Sequence, residues 1–449
     1  MQLMTFNGDQ MAYPMYLSIG NMAKHICCKP SLHAQILVGY LPTPKLSDFS
    51  EEAACTVCVR LFHAALSIIM QSLKGPEHEG VEMKSADGAV HQCHLVIAVY
   101  IMDYPEQSLI ACMCQGSQCL KCHAVEIEFE DHNLNWRSRK QDAMLNTLHH
   151  GAQQSTAKHK EMVLKGASLT HMEEPFWAGF RYCNIQDTIS PDILHQLFQG
   201  LFRYMVIWVW SIVGTMELDA QFKCLPCTHG VRSFDNGISC LSKVSTGEHK
   251  EICKQLLGCI IGKAPTGVIR AMHVLLDFIH LVQYQSHSDE TLKYLQASLD
   301  EFHKDKKIFL DLKARTSGHF NLPKLHTMQH YVDSTRECGT TDNYNTEATE
   351  HLHIDYAKDA YCTTNKKDYL QQMEPIAIPF NNVQVWDPVK FQLKHLQLDD
   401  GPAIMDTAVE MPSQGTKSTQ FDTILVAVDD DAEDTGVQGR ILFIVLIFE

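Results

Sequence analysis

Residues Leu95 to Met102 read Leu-Val-Ile-Ala-Val-Tyr-Ile-Met, an unbroken apolar run with β-branched side chains in it. A run this short and this apolar suits a strand covered on both faces, which lies inside a sheet rather than at its rim. It stops at Asp103-Tyr104-Pro105. A chain holding such a strand must supply covering layers on both sides of it.

A second strand candidate, Tyr13 to Ile19, ends at Gly20-Asn21. Glu126 to Glu174 is polar, rich in Lys, His and Gln, and reads as helix and loop with little core. Ser190-Pro191-Asp192 reads as a helix start: serine caps, proline suits the first turn, and an acid complements the dipole. That helix should run to about Val213. Residues 216 to 320 then read as all-helical. Val268, Met272, Leu275, Leu276 and Ile279 fall at helical spacing, as do Leu292, Leu295, Leu299 and Phe302 behind a capping Ser288. Another helix holds Leu322, Leu325, Met328 and Val332. Asn345 opens one more, with Glu347 and Glu350 a turn apart. After Met373, Val383 to Trp386, Val389 to Leu393, Phe421 to Val428 and Ile441 to Phe448 read as strands. The expected fold is a mixed α/β (α+β) core interrupted by an all-helical insertion, with a small β-rich C-terminal unit. The segments are 1–135, 136–189, 190–205, 206–320, 321–373 and 374–449.

A chain of 449 residues suggests two or three folding units. Its net charge of −16, from 37 basic and 53 acidic residues, argues against broad electrostatic DNA binding and leaves room for a local basic groove. The 17 cysteines are odd in number and scattered, unlike a secreted disulfide framework, and point to free or metal-bound thiols in a reducing compartment. Met1 to Gln10 lacks the pattern of a signal peptide, and Leu201 to Val213 is too short to span a bilayer. The expectation is a nuclear or cytoplasmic protein without a membrane partner.

Three constellations carry chemistry. Asp103 closes the apolar strand, Asp192 opens a helix, and Glu350 lies on a later helix. Carboxylates converging from such places hold two Mg²⁺ ions about 3.5–4 Å apart in phosphoryl-transfer enzymes. The plain alternatives are a turn residue and a first-turn helix residue. Cys119-Leu-Lys-Cys122 has the spacing of a Zn²⁺ knuckle, which needs four ligands; Cys112 and Cys114 are the nearest partners, with His149 or His150 as alternatives. The alternative there is a pair of free thiols in a loop. His326 and His330 stand four apart on a helix, a spacing that grips metal, but among 25 histidines chance pairs are expected. They read as helix surface or as support for a site nearby.

Several strings, in order, resemble the Plavaka transposases, distant relatives of the CACTA elements. They include Tyr13-Pro-Met-Tyr-Leu-Ser-Ile-Gly-Asn21, Asp103-Tyr-Pro-Glu-Gln107 before the CxxC, Ser190-Pro-Asp-Ile-Leu-His-Gln-Leu197 and Asn321-Leu-Pro-Lys-Leu-His326. The most specific is Asn345-Thr-Glu-Ala-Thr-Glu-His-Leu-His-Ile-Asp355. The resemblance implies an RNase H-like core with a DDE triad using Mg²⁺ on DNA transposon ends, in a possible homo-oligomer. Asp192 with His195 matches the second Asp. The Glu is Glu350 by preference, with Glu347 open. The first Asp is expected on a strand just before Tyr13, in a string like Ser-Asp-Lys-Thr, and the chain begins at Met1-Gln-Leu just after that point. Asp103 is the other candidate for this role. The family's amino-terminal DNA-end-binding region is not in the sequence, and the stretch after Met373 is shorter than in the family. The resemblance therefore implies a shortened copy that neither cuts nor joins DNA. Its sheet should show an exposed apolar edge where the central strand is missing. A co-opted DNA- or protein-binding module is the alternative.

Overall fold

The computed structural model describes residues 11–373, apart from 23, 28, 30–31, 33, 45, 85–87, 133–135, 243 and 368, together with 389–392, 405–408 and 439–448. Its main sheet has five strands. β1 (Pro14–Ile19) pairs antiparallel with β2 (Gln35–Tyr40), and β3 (Val81–Lys84) pairs antiparallel with β4 (Val90–Ile101). Two short strands farther on, β5 (Val389–Gln392) and β6 (Met405–Ala408), pair only with each other in the described residues. β7 (Gly439–Phe448) lies between β1 and β4, giving the order β2-β1-β7-β4-β3. It runs antiparallel to β1, with Phe448 opposite Met15, and parallel to β4, with Ile447 opposite Ile101.

The apolar run of β4 is buried on both faces, as its composition requires: Ile97, Val99, Tyr100 and Ile101 are all buried. Strict alternation would put Ile97, Val99 and Ile101 on one face. A register shift between Ile97 and Val99 breaks the alternation. Ile97 and Tyr100 therefore pack with Met15, Phe62, Leu66, Phe176 and Trp177, while Val99 and Ile101 pack on the other face with Tyr16, Leu37, Tyr344 and Leu352. Phe62 and Leu66 come from α1 (Glu51–Ile69), capped by Ser50, whose hydroxyl accepts from Ala53 N. β4 begins five residues before the apolar run because its first, polar half pairs with the exposed edge strand β3.

Asp103 caps α2 (Tyr104–Ile110). Beyond it lies a helical body with its own core. Ile193–Phe202 is a π-helix that continues as α3 (Arg203–Val213). It packs with α4 (Thr246–Ile260), α5 (Thr266–Leu281), α6 (Asp289–Asp305) and α7 (Tyr331–Cys338) around Phe202, Leu256, Leu275, Leu295 and Tyr331. α8 (Thr346–His353) then returns to the sheet, where Tyr16 and His353 join in a 3.1 Å hydrogen bond.

Four expectations change. The cap of the π-helix is Asp192 rather than Ser190, because the chain stays extended through Pro191. The described residues of 224–245 form no helix; Cys224 ends a helix at Lys223, and the next begins only after Ser245. Ile441 to Phe448 is a strand but joins the main sheet instead of a separate tail unit, so the gap between β1 and β4 is filled and no apolar edge is left there. Met405–Ala408 is a strand that the sequence did not suggest. Val383 to Trp386 and Phe421 to Val428 lie outside the described residues.

Candidate metal centre and carboxylate cluster

Cys119 and Cys122 sit on a tight loop held by backbone bonds, Cys119 N to the Ala124 carbonyl at 2.9 Å and His123 N to the Arg137 carbonyl at 3.1 Å. Arg139 Nε donates to the Cys119 carbonyl at 2.8 Å, fixing the loop from behind. His326 and His330, on the turns that lead into α7, reach the same point. His330 Nε2 lies 3.3 Å from Cys119 Sγ, and His326 Nε2 lies 3.2 Å from Cys122 Sγ. The four ligand atoms all lie within 4.8 Å of one another. Tetrahedral Zn²⁺ with bonds of about 2.0–2.3 Å needs ligand atoms roughly 3.5 Å apart, so this group fits with small adjustments. Phe129 and Trp136 pack on the His326 ring at centroid distances of 5.2 and 5.7 Å, which limits its orientation.

The electrostatics suit a metal. Burial opposes charge on Cys119, but the Cys122 hydrogen bond and the His330 ring outweigh it and hold this thiol well below the usual range. The bond to Cys119, then burial, pushes the Cys122 thiol up. The two thiols are thus pushed in opposite directions. A divalent ion would relieve this asymmetry by taking both as thiolates.

The partners expected for the two cysteines do not join them. Cys112 is fully buried with its sulfur 3.2 Å from His63 Nε2, and burial raises its thiol. Cys114 is half-buried and lies outside the four-ligand group. His149 and His150 end a different helix, Gln141–Ala152, and are also outside it. His326 and His330 are ligand candidates rather than surface residues: His326 is 1% exposed.

The knuckle reaches the segment just before Asp192 through Lys121, between the two cysteines. Its ammonium donates to the Ile189 carbonyl at 2.8 Å and to Ser334 Oγ at 3.2 Å. Ile189 forms a parallel bridge with Tyr100 of β4, placing the segment before Asp192 beside the strand that ends at Asp103. Gln107 ties the two strand ends together, donating to the Met102 carbonyl at 3.0 Å and the Ser190 carbonyl at 2.9 Å.

Asp192 is 5% exposed, and both oxygens are occupied. Oδ1 accepts from Leu194 N at 3.3 Å and from Thr346 Oγ1 at 2.9 Å. Oδ2 accepts from His195 N at 2.7 Å and lies 2.8 Å from His195 Nδ1. The Thr346 bond spans 154 positions of sequence and brings the start of α8 to Asp192. Glu347 turns to Lys250 of α4, with which it forms an ion pair. Glu350 stands one helical turn after Thr346. Lys324 donates to the His195 carbonyl at 2.9 Å; burial lowers its ammonium, while Asp192 and Asp103 hold it up.

Asp103 accepts from Glu106 N at 3.1 Å as the cap of α2. Glu106, which sequence reasoning passed over, has an oxygen cut off from solvent beside Tyr13, and burial pushes it up to about 7. Its signal in the sequence is weak, a third-position acid after a capping Asp, which usually serves only the helix end.

The family model described as Plavaka transposase matches residues 1–209. No curated protein matches the chain. The matched segment holds β1 to β4, the CxxC knuckle, Asp103 and Asp192. Residues 1–209, just under half of the chain, are thus similar to the Plavaka transposase family.

Proposed function

We propose that this is a transposase-derived protein that keeps the scaffold of a DDE-type, RNase H-like centre without its cleavage chemistry. The observation that carries this is the saturation of Asp192. A carboxylate has about four lone-pair sites, and here four donor contacts take them. A bridging ion needs an open oxygen on each of at least two carboxylates. Glu347 is committed to Lys250, and Lys324 places a positive charge beside Asp192. The central strand β7 reads Gly-Arg-Ile-Leu-Phe-Ile-Val-Leu-Ile-Phe and brings no acid between β1 and β4. As they stand, these residues do not fit a two-Mg²⁺ site, and no cleavage step is drawn through one. Asp192 acts instead as a helix cap and as the clasp between the π-helix and α8.

Cys119, Cys122, His326 and His330 would hold one structural Zn²⁺, joining the knuckle to the turns before α7. The metal would supply cross-linking rather than catalysis, since four protein ligands leave no open position for water. DNA is the partner that the family suggests. With a net charge of −16, contact would rest on a local basic surface rather than on the whole molecule. Mn²⁺ titration followed by electron paramagnetic resonance tests the carboxylate reading. The expected result is no saturable signal that depends on Asp192. A bound-ion signal that vanishes in Asp192→Asn would overturn it.

A further inference from the structure

β1 and β4 each have an outer partner, β2 and β3, and neither pairs with the other. The strand that joins the two halves of the sheet is β7. Ile444 to Phe448 of β7 pair with β1, and Gly439 to Ile447 span the ladder with β4, so Ile444 to Ile447 are bonded on both edges. The channel it fills is apolar above and below, walled by Met15, Ile97 and Tyr100 on one face and by Tyr16, Val99 and Ile101 on the other. Such a channel selects a short, proline-free apolar strand, and residues 441–448 are apolar throughout. The strand arrives after a long stretch of sequence, 374–438, in which the described strands β5 and β6 pair with each other and not with the main sheet.

We propose that the channel between β1 and β4 is a strand-binding site, and that Gly439–Phe448 occupies it as an exchangeable peptide that a second copy of this chain can donate in the same register. Ladder bonds on both edges supply the affinity, and the matched register supplies the specificity. Covalent connection makes the chain's own strand the favoured occupant at low protein concentration; a donated strand competes as concentration rises.

The test uses the full chain with a protease recognition sequence inserted between Glu410 and Met411. The folded protein is cut, gel-filtered, and challenged with a fluorescent synthetic peptide of residues 439–448 carrying terminal lysines for solubility. The expected result is that the cut segment stays bound and that labelled peptide replaces it saturably, one per chain. A Val445→Pro peptide should bind at least tenfold more weakly, and a scrambled peptide should not compete. Hydrogen exchange on the uncut chain gives a second reading: amides of Val96 to Ile101, which β3 does not reach, should be protected, and Val445→Pro in the chain should remove that protection. Release of the segment on cutting without any change in the thermal transition would overturn the proposal. So would equal binding of the scrambled peptide, or β4 amides that exchange freely in the uncut chain.

Discussion

Replacing Cys122 with serine tests the metal centre at the ligand whose sulfur lies 3.2 Å from His326 Nε2. The two residues are 204 positions apart, so a metal that joins them closes a very long loop. In the chain-entropy account of cross-links, restraining a loop of that length stabilises the fold by about 5 kcal/mol. For a cooperative unit of this size that corresponds to roughly 5–10 °C in melting temperature. The assay is zinc content of the reduced protein by mass spectrometry, paired with thermal unfolding by circular dichroism with and without a strong chelator. The native chain should hold one zinc and melt lower in chelator; Cys122→Ser should hold none, melt at that lower temperature and ignore the chelator. Cys114→Ser should keep the zinc, since Cys114 lies outside the four-ligand group. A native chain free of zinc, with Cys122→Ser melting where it does, would refute the reasoning.

Other outcomes follow from single contacts. A Cβ at Gly200 would fall 2.5 Å from Lys324 Cδ and 2.7 Å from the His195 carbonyl, so Gly200→Ala should cost about 1–3 kcal/mol by urea unfolding, whereas Gly166→Ala, with open space around it, should be near neutral. Thr346→Val removes a donor from buried Asp192 and should cost about 1–3 kcal/mol; unchanged stability would mean that the clasp with α8 contributes nothing. Burial holds His63 and His353 down at about 4, below the ordinary 6.5. The unfolded chain therefore takes up these protons first. The stability is whole above pH 6.5 and is lost as pH falls toward 4, by up to about 3 kcal/mol for each histidine. His63→Gln should flatten that part of the urea-stability profile, and an unchanged slope would contradict it.

What the sequence revealed was local. The apolar run of β4 and the end of the helix at Val213 follow from apolar composition and its punctuation; the helix ends where expected, while the strand starts five residues earlier, at Val90. Half of the Cys/His cluster was legible because CxxC spacing is itself a local signature. The other half was not: His326 and His330 carry no mark that separates them from other histidines, and only folding brings them to Cys119 and Cys122. Nearness in sequence favoured Cys112 and Cys114, but a buried sulfur beside His63 serves packing instead. The strand character of residues 441–448 was evident from composition, while its place between β1 and β4 is a pairing over hundreds of residues that periodicity does not encode. Asp192 was visible as an acid at a helix start, yet its saturation depends on Thr346, which is distant in sequence.

The central claim is that the carboxylates beside β4 are structural and that this chain does not cleave DNA. The most direct measurement is nicking of supercoiled plasmid by the purified full chain in Mg²⁺ or Mn²⁺. The account predicts no nicking above that of the Asp192→Ala variant at any concentration of either metal. Metal-dependent nicking that disappears in both Asp103→Ala and Asp192→Ala would contradict it, and would make those two residues metal ligands.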